Sequence, residues 1–133
     1  MKNVREPAVA GMFYPASSSK LKEDVQQLLD DYKPQEKFEN VVGIVSPHAG
    51  YVYSGRTAAF AFNAIEQKKY KTVVIISPSH REYFAGISVY NGDAYRTPLG
   101  DVPVNKEISK RISAGSKIIF EGINGHRTEH AVE

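Results

Sequence analysis

Apolar positions along the chain fall into distinct patterns. Leu21, Val25, Leu28, Leu29 and Tyr32 recur at helical spacing, so residues 18–32 are predicted to form one amphipathic helix. One of Ser17, Ser18 and Ser19 supplies its N-cap. Lys33-Pro34 ends it, because the residue before a proline avoids helical backbone. Residues 41–45 (Val-Val-Gly-Ile-Val) and 72–76 (Thr-Val-Val-Ile-Ile) are apolar at nearly every position. That is the signature of central parallel strands covered on both faces. Between them, residues 54–67 read as a well-buried helix that Ser54 caps. Strand, helix, strand is a βαβ unit whose strands run parallel.

Further along, the pattern alternates. Gly86-Ile87-Ser88-Val89-Tyr90 and Asp93-Ala94-Tyr95-Arg96-Thr97 flank Asn91-Gly92, which predicts a β-hairpin. Thr97-Pro98-Leu99-Gly100 reads as a β-turn with proline at its second position. Residues 105–113 are predicted as a short helix with Ile108 and Ile112 inward, broken by Gly115. Residues 117–120 form a further strand, 121–127 a loop, and 128–133 the opening of a helix. Residues 1–16 carry Pro7, Gly11 and Pro15 around Val9, Met12, Phe13 and Tyr14. They read as an extended arm that packs its aromatic rings onto the body. The expected fold is α/β: a three-layer α/β/α arrangement with a mixed, mainly parallel central sheet and an antiparallel hairpin, in a single domain spanning residues 1–133.

Both predicted central strands run into a similar phrase, Ser46-Pro47-His48 and Ser77-Pro78-Ser79-His80. Neighbouring parallel strands lie about 4.8 Å apart, and their carboxyl ends are where open α/β folds bind ligands. His48 and His80 are therefore expected to line one pocket and to hold one metal ion, since imidazole is the commonest metal ligand. Two histidines leave such a site incomplete, because catalytic zinc and non-haem iron take a third protein ligand. Glu129, His130, His126 and Asp93 are candidates, none with diagnostic spacing. His130 is also a candidate catalytic proton donor or acceptor at the pocket rim. Tyr53 and Arg56 are candidate substrate-binding residues. The phenol can hydrogen-bond a substrate, and a cation in the first turn of a helix opposes the helix dipole unless an anion sits nearby. The loop 48–55 lacks the lysine and spacing of a P-loop, and the chain has neither a nucleophile-elbow serine nor a His-Glu-x-x-His helix.

Composition narrows the classes further. The 133 residues are 41% hydrophobic and 24% charged, enough for one ordinary domain with a core. A net charge of +2, with no Lys/Arg run longer than two, argues against nucleic-acid or anionic-membrane partners. No run of about 18 apolar residues marks a spanning helix, and the N-terminus has no apolar signal region. With no cysteine there is no disulfide framework and no thiolate ligand. A cytoplasmic location is the simplest expectation.

Several phrases occur together in order: Arg5-Glu6-Pro7-Ala8-Val9-Ala10-Gly11-Met12-Phe13-Tyr14-Pro15, Pro47-His48-Ala49-Gly50-Tyr51, Tyr53-Ser54-Gly55, Ser77-Pro78-Ser79-His80, Tyr95-Arg96-Thr97-Pro98-Leu99-Gly100 and Glu129-His130-Ala131-Val132-Glu133. Together they resemble the Memo protein family, called AmmeMemoRadiSam system protein B in prokaryotes. The resemblance implies a fold like that of the class III extradiol dioxygenases, with His48 and His80 matching histidines that line the metal pocket. It implies Fe(II), or zinc or copper, and dioxygenase-like oxidoreductase chemistry on an aromatic diol. The human relative binds phosphotyrosine peptides of a receptor kinase, which implies the alternative of a non-catalytic module for a peptide or small anionic ligand. Family members are much longer. Their second half carries a further Asp/His motif and the third metal ligand, a cysteine in the human relative. The chain is therefore expected to be the N-terminal portion of a longer Memo-like domain, with its metal site and activity incomplete. An unpaired sheet edge would let copies associate.

Overall fold

The structure is a computed structural model that describes residues 3–66 and 68–133. Met1, Lys2 and Gln67, the last at the predicted end of the second helix, lie outside the described residues. In chain order the elements are β1 (Val4–Arg5), α1 (Ser18–Asp31), α2 (Tyr51–Asn63), β2 (Ile87–Tyr90), β3 (Ala94–Thr97), β4 (Gly100–Pro103), α3 (Lys106–Ala114) and β5 (Ile119–Gly122). The fold class is α/β with mixed strand pairing, as the sequence predicts. The chain divides into two compact units, Ala10–Val73, and Val74–Glu133 joined by the N-terminal residues up to Val9. Among the described residues, no helix is long and apolar enough to cross a membrane.

The Ala10–Val73 unit is built on α1 against α2. The apolar stripe of α1 faces inward, with Leu21 buried and Val25, Leu28, Leu29 and Tyr32 half-buried. Ser17 occupies the N-cap position, but its hydroxyl contacts Ser19 Oγ at 3.1 Å instead of capping. Leu28 packs against Gly55, where a Cβ would stand 3.0 Å from Leu28 Cδ1. Glycine at this position permits the close helix contact. From α2, Asn63 Nδ2 donates to the Leu29 and Tyr32 carbonyls at 2.9 and 3.0 Å, which satisfies orphan acceptors at the end of α1. The helix α2 starts earlier than predicted, at Tyr51 with Gly50 as N-cap. Ser54 is therefore inside the helix, and its hydroxyl donates back to the Ala49 carbonyl at 2.9 Å. The Tyr51 N–H donates to the Phe13 carbonyl at 2.8 Å, giving an orphan donor of the first turn a partner from the N-terminal arm. The arm packs as predicted at Tyr14, which is buried with its ring centroid 5.8 Å from that of Tyr51.

In the other unit, β1 and β3 run parallel and β3 and β4 antiparallel, while β2 and β5 form a separate parallel pair. The hairpin therefore lies at β3–β4, across the Thr97-Pro98-Leu99-Gly100 turn, and not across Asn91-Gly92. Thr97 Oγ1 closes that turn, accepting from Leu99 N at 3.1 Å and donating to Gly100 O at 2.9 Å. Neither Asn91 nor Gly92 has the positive φ that a type I′ hairpin needs. They carry the chain from one sheet to the other instead. Asn91 N donates to Gly122 O, extending β2–β5, and Asp93 N donates to Asn3 O, extending β1–β3. Gly92 is buried, and a Cβ there would fall 2.2 Å from the Tyr90 ring. The helix α3 packs on β5. Asn105 caps it by accepting from Ile108 N at 3.2 Å, with Glu107 in the first turn and Arg111 in the last complementing the helix dipole.

The predicted central strands at 41–45 and 72–76 are not strands in the structure. A parallel strand needs cover on both faces, and these runs lack it. Val42, Val45 and Ile76 are almost fully exposed, and Val73, Val74 and Ile75 more than half exposed. Residues 128–133 are likewise not helical. Arg5 holds them in another shape. Its Nε donates to the His126 carbonyl at 2.9 Å, and its two terminal nitrogens reach the Glu129 carbonyl and the Glu133 carboxylate. Glu133 in turn accepts from Ala8 N and Val9 N at 2.8 and 3.0 Å. Arg5 and Glu133 are both almost completely buried, so removing one leaves the other charge unpaired in a dry site. Arg5→Ala should destabilise this unit by about 3–5 kcal/mol, read by urea denaturation. Arg96→Ala, at an exposed pair of carboxylates, should scarcely move the midpoint. Equal effects would contradict the assignment of Arg5 as the clamp.

Candidate metal centre

His80 follows the 72–76 run on a turn that its neighbours tie down. Ser79 Oγ donates to the Glu82 carbonyl at 2.7 Å, and Glu82 Oε2 accepts from Gly125 N at 2.9 Å. The positive φ of Gly125 (+74°) puts its N–H there at no steric cost. The loop predicted at 121–127 thus becomes a support for the His80 turn.

The Glu129 carboxylate organises the site. Its Oε2 accepts from the backbone N–H of His80. Its Oε1 lies 2.9 Å from His80 Nδ1 and accepts from His130 N and Ala131 N at 2.9 and 3.0 Å. The side chain is only 2% exposed. Burial alone would raise its pKa. The His80 backbone N–H, the His80 ring and the N–H groups of Ala131 and His130 outweigh that and pull it down to about 2. The His130 ring stacks on that of His80, with centroids 4.6 Å apart and planes 30° apart. A ring nitrogen of each lies within 4.8 Å of one on the other, near enough for one ion.

The candidate third ligands separate accordingly. Glu129 spends both oxygens on hydrogen bonds and is an orienting group. Asp93 accepts from Asn3 N at 2.6 Å and pairs with Lys106. His126 is half-buried and committed to structural contacts. The Tyr95 hydroxyl donates to its Nδ1 at 2.6 Å, and its Nε2 donates to the Ser88 carbonyl at 3.3 Å. Burial lowers the His126 pKa and pushes the Tyr95 phenol up to about 12, each favouring the neutral form. Of these four candidates, His130 is the one whose ring stacks on His80 and brings a nitrogen within ligand distance of it. The sequence reading missed the orienting role of Glu129 and the Arg5 clamp behind it. The signals were there in the Glu129-His130 phrase and in the lone arginine of the N-terminal arm.

Three predicted site residues belong to the Ala10–Val73 unit. His48 is exposed in the loop before α2. Gly50 in that loop sits close to Phe13, whose carbonyl would be 3.3 Å from a Cβ there. Tyr53 is 87% exposed on α2. The Arg56 guanidinium lies 5.1 Å from the Tyr32 ring centroid, a cation–π contact that accounts for its position with no anion.

The structure therefore defines an α/β protein with a histidine pair oriented by a buried carboxylate. Residues 5–133 match the family model described as Memo-like protein. The chain is 39% identical over 130 residues to a MEMO1 family protein of Methanosarcina barkeri, covering 98% of this chain and 46% of the relative. It is 34% identical over 132 residues to one of Thermoplasma volcanium, covering 98% and 48%. It is 38% identical over 139 residues to one of a Thermotoga species, covering 97% and 50%. The chain belongs to the Memo-like family, and it spans about half the length of these curated relatives.

The lowered Glu129 pKa gives a signed prediction. A depressed carboxylate stabilises the fold above its unfolded value and loses that contribution as pH falls through its folded value. Stability should therefore drop between about pH 4.5 and pH 2. Glu129→Gln should lower stability at neutral pH and flatten that acid limb in urea titrations followed by circular dichroism. An unchanged acid limb would contradict it.

Proposed function

We propose that this chain contributes a divalent-metal site of the Memo-like family, with His80 and His130 as ligands and His48 as the third. The observation that carries the reading is the stacked His80–His130 pair beside a buried Glu129 carboxylate that touches His80 Nδ1. Metal-binding histidines commonly rest their second nitrogen on such a carboxylate. His48 enters through its place in the Pro47-His48-Ala49-Gly50-Tyr51 phrase, which resembles the family's metal-pocket motif. The strand argument for its approach lapses with the strands themselves. His130 is assigned to ligation in place of proton transfer, because a coordinating nitrogen carries no proton.

The imidazole donor set suits iron, zinc or copper. Bound there, the metal would supply Lewis acidity and, for iron or copper, redox capacity. Fe(II) and a dioxygenase-like reaction on an aromatic diol are what the family resemblance favours. Within this chain, Glu129 holds the His80 ring, the Arg5 clamp holds the Glu129 backbone, and Tyr53 and Arg56 are offered as substrate contacts. Association between copies is part of the same proposal, supported by the exposed β-branched run at 73–76. Sedimentation velocity should show a dimer or larger species, and a monomer would contradict it.

Metal content of the purified chain tests the central reading. Reconstitution with Fe(II) or Zn²⁺ should give about one ion per chain, and His80→Ala or His130→Ala should each abolish uptake. His48→Ala should weaken it by tenfold or more. Ligand binding to a peptide or small anion that survives chelation, in a chain that takes up no metal, would favour the non-catalytic module instead.

A further inference from the structure

We infer that Glu129 is a positioning residue that fixes the His80 imidazole in its Nδ1–H tautomer and so makes Nε2 the lone-pair nitrogen. The Glu129 carboxylate already accepts from three backbone N–H groups, two of them on Oε1, and a carboxylate so placed acts as an acceptor. With Glu129 Oε1 2.9 Å from His80 Nδ1, that nitrogen must be the donor, and in the neutral ring the lone pair falls to Nε2.

The carboxylate cannot easily turn away from this task. One oxygen is engaged by His80 N and the other by His130 N and Ala131 N. Rotating the group to meet a metal would strand those N–H donors. Its near-complete burial removes water as a substitute partner, and a buried donor left unsatisfied costs about 1–3 kcal/mol. The backbone that carries Glu129 is itself held, since its carbonyl accepts from Arg5. The tautomer claim stands on this geometry alone. Its consequence for metal affinity rests on the reading of His80 as a ligand.

The test separates the two. The ¹⁵N-labelled, metal-free 133-residue chain is examined by long-range ¹H–¹⁵N correlation at about pH 8, above the ordinary imidazole pKa. His80 should show a protonated Nδ1 and an unprotonated Nε2. The reverse pattern, or an averaged mixture, would overturn the inference. In Glu129→Ala the single tautomer should be lost, and Co²⁺ affinity measured by titration should fall roughly 10–100-fold. A variant that keeps the Nδ1–H signature would also overturn it. If Glu129→Ala does not fold, the wild-type spectrum still decides. A wild-type chain that shows the Nδ1–H tautomer but takes up no Co²⁺ would support the role of Glu129 and defeat the metal reading.

Discussion

A carboxylate taken out of water must be surrounded by donors, and Glu129 meets that demand with its neighbours in space. The backbone N–H and ring of His80 come from one stretch of chain, and the N–H groups of His130 and Ala131 from another. One buried charge thereby joins two segments 49 residues apart in sequence and sets two imidazoles face to face. Arg5 performs the matching service from the far side of the same segment, gathering the carbonyls of His126 and Glu129 and the Glu133 carboxylate. Without that buried guanidinium the last residues would keep the Glu129 contacts to His80 and the Glu133 bonds to Ala8 N and Val9 N, but the Glu133 carboxylate would lose its buried counter-charge. Site and fold in this unit are thus one network of charge satisfaction and only secondarily a product of apolar packing.

The parts of the fold that were legible are those decided by local chemistry. Helical spacing placed α1 to within a residue at its end, and Asn105 and Gly115 bracketed α3. The Thr97–Gly100 turn closed as its proline and threonine demand. The misread parts depend on partners distant in sequence. A continuous apolar run looks like a buried strand only if something buries it, and the runs at 41–45 and 72–76 are left exposed. Ser54 looked like a cap because it precedes a helical pattern. The preceding Gly50-Tyr51, docked on Phe13, starts the helix sooner. Asn91-Gly92 carried a hairpin signal, but β1 and β5 each captured one flanking strand. A helix at 128–133 was plausible by composition and lost to Arg5, which takes the Glu129 carbonyl and the Glu133 carboxylate.

The site shows the same division. His80 and the Glu129-His130 phrase could be picked out as chemistry-bearing residues, but spacing could not say which would ligate and which would orient. That distinction comes from burial and donor count, which make Glu129 a support and set the His130 ring against that of His80. His126 and Asp93, equal candidates by residue type, are spent on Tyr95, Ser88, Asn3 and Lys106. The chain belongs to the Memo-like family. The chain covers 46–50% of the relatives' length, so the chemistry of the whole relatives enters only as a proposal.

The account turns on two imidazoles sharing one ion. X-ray absorption at the zinc edge of the Zn²⁺-loaded chain addresses that directly, because imidazole rings leave a multiple-scattering signature that carboxylates and water lack. The account predicts at least two imidazole ligands, with one lost in His80→Ala and one in His130→Ala. A first shell of oxygen alone, or one unchanged by both substitutions, would contradict it.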